Sequence, residues 1–302
     1  MELKQLEYIV KIAEERNITR AADKLFVTQS ALNQQLLKLE RELGTPLFYR
    51  SRTDCQATEA GQIYVSAARE ILKIKKNTYN KIYDLVSIKQ GVLSIGFTPN
   101  RGTTMFSTVY PQFHQSYPQV LVEPMELNVK SQMEKLANGD LDVGFLTLLK
   151  NQQKPSLEYH HICTEEIFLA VPSRNPVCSH ATAQNGRLPE LDLALVREEP
   201  FVLMYKQSTI RGLIDSLFNE SNFKPHVLFE TSSTNTILTM IESNLCCGLI
   251  LEYYVDLSNK NISYFSLPQH PTWEIAACCK KGHYNSKATK TFIGLAADYW
   301  GH

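Results

Sequence analysis

One polar segment near the start of the chain carries side chains suited to reading DNA bases. Its members share amide, hydroxyl or ammonium groups at helical spacing: Thr28, Gln29, Ser30, Asn33, Gln34 and Lys38. Gln and Asn amides can form two hydrogen bonds with adenine, hydroxyls adapt to either base of a pair, and a Lys ammonium reaches phosphate. These types and spacings predict a base-reading helix face. A generic solvated helix face has the same composition and stays an alternative.

A second group of polar side chains lies between strand and helix patterns farther along the chain. The group consists of Thr98, Asn100, Arg101, Thr103, Ser131, Thr147, Tyr205, Gln207 and Ser208. Free N–H groups at a helix N-terminus suit an anion, and open α/β sheets bind ligands at the carboxyl ends of their strands. We therefore expect a cleft for a small, anionic metabolite, with Arg101 adding positive charge. Helix capping is the alternative role of each hydroxyl and the expected role of the segment 231–236.

Short helices must position the first group. Thr19 is expected to cap a second helix and Thr28 a third, whose apolar stripe runs from Leu32 to Leu43 before Gly44 ends it. Residues 47–58 have an extended, punctuated pattern that predicts a small β-hairpin. Arg50 and Arg52 on this hairpin would contact the DNA backbone or minor groove as a wing. Arg20 is a further predicted DNA contact.

A long helix and an α/β region follow. Between residues 59 and 88, apolar residues from Ile63 to Leu85 fall about one helical turn apart. A stripe on a helix of this length needs a partner, and a second copy of the helix would make a dimer. From Gly91 onward strands alternate with helices, which predicts parallel sheets covered on both faces.

Five short motifs occur in order within the first 61 residues. They are Ala21-Ala22-Asp23-Lys24-Leu25, Thr28-Gln29-Ser30-Ala31-Leu32, Leu39-Glu40-Arg41-Glu42-Leu43-Gly44, Pro46-Leu47-Phe48-Tyr49-Arg50 and Thr58-Glu59-Ala60-Gly61. This string resembles the LysR-type transcriptional regulators. The resemblance implies an α/β protein with an N-terminal winged helix-turn-helix, a long linker helix that dimerises, and a two-lobed periplasmic-binding-protein-like effector domain. It also implies tetramers that bend promoter or operator DNA, respond to a small-molecule effector and influence RNA polymerase.

The resemblance, together with these changes of pattern, implies the following domains. Residues 1–58 form the winged helix-turn-helix DNA-binding domain, 59–90 the linker and dimerisation helix, and 91–302 the two-lobed effector-binding domain. Lobe 1 is expected at about 91–163 and 267–302, and lobe 2 at about 164–266.

Three positions of the base-reading segment differ from residues common in the resembled family. Ser30 stands where proline is common, Asn33 where serine is common and Gln34 where arginine is frequent. Loss of positive charge weakens the general attraction to phosphates, and it shifts base preference toward what amides can pair with.

The charge distribution limits the possible partners. The whole chain has 31 basic and 31 acidic residues, but residues 1–90 hold 15 Lys or Arg against 11 Asp or Glu. The positive excess is therefore a local footprint for a polyanion. No apolar run approaches the roughly 18–20 residues of a membrane span, and the N-terminus lacks a secretion-signal core. We expect a cytoplasmic protein with no membrane partner, no cofactor and no metal.

Other functions stay open. A solute-binding protein whose N-terminal helices only dimerise it would have the same two-lobed layout. The adjacent pairs Cys246-Cys247 and Cys278-Cys279 would suit a redox-sensing regulator, although burial as small apolar residues is the simpler interpretation. No local pattern combines an acid, a base and a nucleophile, so we do not expect an enzyme.

Overall fold

The structure is a computed structural model that describes residues 2–50 and 54–301, without the side chains of Arg50 and Lys150. The chain forms two compact units, Met1–Gly91 and Val92–His302. No helix among the described residues is both long enough and apolar enough to cross a membrane.

The first unit is a helix-turn-helix followed by a hairpin and a long helix. Its elements are α1 (Leu3–Glu15), α2 (Ile18–Lys24), α3 (Gln29–Leu43), β1 (Phe48–Arg50), β2 (Cys55–Ala57) and α4 (Glu59–Leu85). The Thr28 hydroxyl caps α3 by accepting a hydrogen bond from the Ala31 N–H, and Gly44 ends the helix with φ 69°. The prediction that Thr19 caps α2 was wrong, because Asn17 does so and the helix begins two residues earlier than that cap implies.

The long helix α4 has two apolar faces with different surroundings. Val65 and Ala68 are buried, and Ala68 packs in a cluster with Leu6 and Val10 of α1. The stripe expected from the sequence lies mostly on the other face, where Ile63 is 68% and Leu85 84% exposed. One face of the helix therefore completes its own unit, while the other lacks cover in a single chain.

The second unit contains the remaining nine strands and five helices of the described chain. These are β3 (Gln90–Phe97, which begins at the end of the first unit), α5 (Arg101–Ser116), β4 (Gln119–Glu126), α6 (Val129–Asn138), β5 (Val143–Leu148), β6 (Leu157–Pro172), β7 (Pro200–Met204), α7 (Thr209–Glu220), β8 (His226–Thr231), α8 (Thr234–Glu242), β9 (Gly248–Leu251), β10 (Ile262–Ser266), β11 (Thr272–Lys280) and α9 (Lys287–Trp300).

One long strand, β6, connects the two lobes of this unit. In the larger sheet the order is β10-β6-β11-β5-β3-β4, and β9 also pairs with β6. The first part of β6 pairs with β11 as far as Glu166, and from Ile167 onward it pairs with β9 and β10. The expectation of parallel sheets was wrong for most pairs. Among the described strands, β3–β5 and β7–β8 pair in parallel, whereas β6 and β11 run antiparallel to their neighbours.

Each lobe has its own apolar core, which fixes the strand ends that carry the loops. Phe113, Phe145 and Phe292 pack in one lobe, and Phe201 and Phe218 in the other. In the first lobe Gly96 and Gly144 are neighbours on β3 and β5, where a Cβ would approach the Gln132 Oε1 to 2.9 Å. Glycine at these positions lets α6 lie close on the sheet.

Candidate functional site

The exposed side of α3 carries the predicted base-reading residues. Leu32, Leu36 and Leu39 are buried on its other side and hold the helix on the unit's core. Thr28, Gln29, Ser30, Gln34 and Lys38 are exposed, and Asn33 is half-buried. The Thr28 and Ser30 hydroxyl oxygens lie 3.2 Å apart, so Thr28 both caps the helix and contacts its neighbour. The helix therefore presents an edge of amides and hydroxyls to solvent.

The remaining predicted DNA contacts are basic. Arg20 is exposed on α2, and its guanidinium donates to the Glu15 carbonyl oxygen at 2.7 Å. The Arg50 side chain and the whole of Arg52 lie outside the described residues. Other basic groups of this unit have acidic partners, since Arg16 pairs with Asp54 at 2.8 Å and Lys24 with Glu15 at 2.6 Å. These pairs reduce the positive field available to phosphates.

The second unit has a cavity of about 290 Å³ between its lobes. Seven of the predicted effector residues line it: Thr98, Asn100, Arg101, Thr147, Tyr205, Gln207 and Ser208. Thr103 and Ser131 do not belong to this lining. The Thr103 hydroxyl donates to Glu126 at 2.9 Å, so this side chain serves local structure. At Ser131 the backbone N–H donates to the Asn128 side chain at 2.8 Å.

Arg101 differs from the simple positive group expected from the sequence. Its guanidinium donates two hydrogen bonds to the Glu165 carboxylate, one of them 2.7 Å long, and its centre lies 4.3 Å from the Tyr253 ring. Trp273 donates its indole N–H to the same carboxylate at 3.1 Å. Arg101 is 9% exposed, and its Nε has no hydrogen-bond partner among the described residues. Glu165 balances the charge, and one donor remains.

Helix ends meet at the cavity from both lobes, and they differ in capping. Asn128 and Ser233 cap α6 and α8 through their side chains. Asn100 and Ser208, at the corresponding positions of α5 and α7, make no side-chain capping hydrogen bond. The first N–H groups of a helix have no intrahelical partner, so these two ends offer donors to a ligand.

Asn100 uses its side chain to bridge the lobes. Its amide donates to the Ser232 carbonyl oxygen at 3.2 Å. Its backbone has φ 62° and ψ −94°, a conformation that non-glycine residues rarely adopt. Asn100 thus lines the cavity with a strained backbone and leaves α5 uncapped.

Several lining residues were absent from the set predicted from the sequence. They are Pro99, Asn128, Val129, Met204, Thr209, Ile210, Ser232, Thr234, Leu249, Ile250, Leu251, Tyr254 and Trp273. Ser233 does cap α8, as expected for its segment, but Ser232 and Thr234 on either side face the cavity. Burial raises the pKa of Tyr254, so its hydroxyl is a neutral hydrogen-bonding group here. The signal in the sequence for Ser232 and Thr234 was their position beside the capping residue in the segment 231–236. No local pattern distinguishes Trp273.

Comparison with known proteins identifies the two units. The family model described as "Bacterial regulatory helix-turn-helix protein, lysR family" matches residues 3–62. The model described as "LysR substrate binding domain" matches residues 88–301. This chain belongs to the LysR family. It is a ligand-responsive, DNA-binding transcriptional regulator, and the helix-turn-helix and two-lobed architecture inferred from the sequence are confirmed.

Individual relatives of this LysR-family chain extend over most of its length. The HTH-type transcriptional regulator YybE of Bacillus subtilis is 29% identical over 250 residues, which are 83% of this chain and 82% of YybE. A full-length OxyR variant from Pseudomonas aeruginosa has TM-score 0.69 and 24% identity, covering 99% of this chain and 97% of that one. Full-length CbnR in complex with its target DNA has TM-score 0.61 and 21% identity, with 99% of both chains covered.

The two adjacent cysteine pairs of this LysR regulator do not have the surroundings of a redox sensor. Cys246, Cys247, Cys278 and Cys279 are buried. Burial raises the pKa of Cys246 to about 11 and those of Cys278 and Cys279 to about 12, and it also raises the pKa of Cys247. Thiols of this kind remain protonated and unreactive. The described residues also contain no group of three or more His, Cys, Asp or Glu arranged to hold a metal ion.

Proposed function

We propose that this regulator reads DNA through α3 and its neighbouring elements. The residues are Arg20, Thr28, Gln29, Ser30, Asn33, Gln34 and Lys38, with Arg50 and Arg52 contacting the backbone or minor groove from the wing. The observation that carries this assignment is the solvent-facing amide and hydroxyl edge of α3, opposite its buried leucines. The protein acts in the cytoplasm, where its DNA target lies, as a tetramer built from dimers through α4. It has no enzymatic role and needs no cofactor.

Comparing a base-reading residue with a phosphate-contacting one tests the DNA assignment. Gln29→Ala should weaken binding to the specific site by about 10-fold and binding to random duplex very little. Lys38→Ala should weaken both by a similar factor and reduce the salt dependence of affinity. Titration at two salt concentrations measures both effects. An equal loss on both duplexes for Gln29→Ala would place this side chain away from the base edges.

We further propose that the cavity between the lobes takes a small amphiphilic metabolite with one anionic head. The uncapped ends of α5 and α7, which face this cavity from opposite lobes, carry the assignment. Free N–H groups at helix ends, supported by the unpaired Arg101 Nε, suit a carboxylate or phosphate oxygen. Met204, Ile210 and Leu249 supply an apolar surface for the ligand's body. Because Glu165 balances Arg101, the head should carry one negative charge.

A thermal-shift screen of the full chain tests the ligand class. The compounds are monocarboxylates and phosphomonoesters, each paired with its neutral amide or alcohol analogue. A ligand at 100 times its dissociation constant adds about 2.7 kcal/mol of stability, which a melting curve detects easily. Stabilisation by the anions and not by the analogues is expected. Equal stabilisation by a neutral analogue would contradict an anionic head.

A proline variant tests the helix ends directly. Thr209 is the first residue of α7, and proline is tolerated there because its missing N–H has no intrahelical partner. Ser208 has φ −71° and ψ 138°, which are compatible with a following proline. Thr209→Pro should preserve the fold and lower affinity for the anionic ligand about 5- to 10-fold. The matched control is Lys287→Pro at the first position of α9, outside the cavity lining. It should leave affinity unchanged.

A further inference from the structure

Phe26 has a backbone conformation that conflicts with its side chain. It lies in the turn between α2 and α3 with φ 54°. The Phe26 N–H donates to the Asp23 carbonyl at 3.2 Å, and the Val27 N–H donates to the Ala22 carbonyl at 3.1 Å. These paired bonds form the Schellman ending of a helix, whose left-handed position is usually glycine or asparagine. A phenylalanine in this position strains the backbone.

The ring also makes no use of the unit's own core. Phe26 is 95% exposed, more than any other large apolar side chain among the described residues. Its neighbour Val27 packs against the buried cluster of the unit, so the turn is anchored without Phe26. A strained, exposed aromatic residue stabilises neither the turn nor the core. Strain retained in this way indicates a function outside the unit.

DNA is the partner that the surroundings of Phe26 favour. Phe26 precedes Thr28, the cap of α3, by two positions, so their Cα atoms lie within about 7.6 Å. From Thr28 to Leu37 the sequence has no charged side chain, so this part of the helix must rely on hydrogen bonds and apolar contacts. The apolar group that the major groove presents is the thymine C5-methyl, which Phe side chains contact.

We propose that Phe26 packs against a thymine methyl group beside the bases read by α3, and so contributes to the choice of DNA site. This inference rests on the proposed base-reading role of α3.

Two substitutions at Phe26 separate the ring from the backbone. Phe26→Gly removes the ring and relieves the left-handed strain, whereas Phe26→Leu keeps an apolar side chain. The full chain is titrated against a duplex that the unmodified protein selects from random sequence, and against a random duplex. Phe26→Gly should lose about 5- to 10-fold in affinity on the selected duplex, like the loss of one base contact, and little on the random one. Phe26→Leu should retain most of the affinity.

The stability of Phe26→Gly should rise while its affinity for the selected duplex falls. Relief of strain should raise the melting temperature of Phe26→Gly by about 2–4 °C. A merely structural residue would lose stability and binding together. The control is Leu43→Asn. Leu43 is an apolar residue at the other end of the 15-residue α3, and about half of its surface is exposed. It should leave the affinity for both duplexes unchanged.

Replacement of thymine by uracil identifies the contacted base, because uracil lacks only the methyl group. At one position the unmodified protein should lose about 4-fold in affinity, the value of one buried methyl group. Phe26→Gly should lose nothing more at that position. Additive losses at every thymine would overturn the proposal.

The outcomes also separate this inference from the proposed function. If the unmodified protein selects a site and Phe26→Gly binds it equally well, the Phe26 contact is refuted and base reading by α3 stands. If affinity is unchanged but transcription in cells falls, the ring contacts a protein partner and the DNA contact is refuted. If the unmodified protein selects no sequence at all, the base-reading proposal fails first.

Discussion

Removal of the Glu165 charge should destabilise the second unit strongly, because Glu165 is the charge partner of a buried arginine. The side chains of Arg101 and Glu165 are 9% and 11% exposed, so solvent screens their interaction very little. Glu165→Gln keeps an acceptor for the Trp273 indole but leaves the Arg101 charge uncompensated. Breaking a buried pair from one side costs about 3–5 kcal/mol, which is a large part of the stability of a domain.

A double-mutant cycle measures the coupling between the two residues. Arg101→Met alone leaves the Glu165 carboxylate unpaired and should cost a similar amount. The double variant carries no buried charge at this point, so it should recover the larger part of the loss. The control is Glu158→Gln on the same strand, β6. Its carboxylate is 51% exposed opposite His160, and the change should cost no more than about 0.5 kcal/mol.

Urea denaturation of the full chain supplies the measurement. The chain has two tryptophans, Trp273 and Trp300, and both lie in the second unit, so intrinsic fluorescence follows that unit without contribution from the first. Because Glu165→Gln changes the hydrogen-bond partner of Trp273, it can change the fluorescence directly. Circular dichroism follows the same unfolding transition without this effect. A loss below about 1 kcal/mol in Glu165→Gln, or simple addition of the two single losses in the double variant, would refute the buried-pair reasoning.

Three further predictions concern the interface, the thiols and the sheet. Ile82→Asp, on the exposed face of α4, should dissociate the dimer without loss of helix content. Sedimentation velocity measures the mass and circular dichroism the helix content, and an unchanged mass would contradict a dimer interface on this face of α4. Cys278 and Cys279 should resist a thiol reagent in the native protein at about pH 8, where a pKa of about 12 leaves roughly one thiolate in 10⁴, and rapid labelling would restore the redox hypothesis. Gly96→Ala should cost about 1–3 kcal/mol in denaturation, since its Cβ would lie 2.5 Å from Leu141, and an unchanged midpoint would contradict this close packing.

The sequence could predict those features that neighbouring residues determine. Thr28 as a cap and Gly44 as a helix end depend on a few consecutive positions, and both were predicted correctly. Apolar periodicity likewise located α3 and α4. The cap of α2 was missed because Asn17 and Thr19 both suit that role, and only the backbone of the turn distinguishes them.

Features that depend on distant residues could not be predicted in the same way. The sequence placed Arg101 near the expected cleft, but its partner Glu165 is 64 positions away, and nothing in the local pattern of β6 marks that residue. Strand direction failed for a similar reason. Alternation of strands and helices favours parallel pairing, whereas β6 and β11 pair antiparallel with their neighbours, and β6 crosses between the lobes.

The two uncapped helix ends relate ligand chemistry to regulation. A ligand shifts the lobe arrangement only by the difference between its affinities for the two arrangements. A head group that touches α5 alone binds an open and a closed cleft equally, so it would leave the equilibrium unchanged. A head group that also reaches α7 loses half of its donors when the cleft opens. The Asn100–Ser232 hydrogen bond contributes to closure without a ligand. The ligand's preference for the closed arrangement therefore has to exceed only the remaining free-energy difference between the open and closed arrangements. If anions bind at these helix ends as proposed, compact anions that bridge the two ends should act as effectors, and larger molecules that occupy one lobe should not.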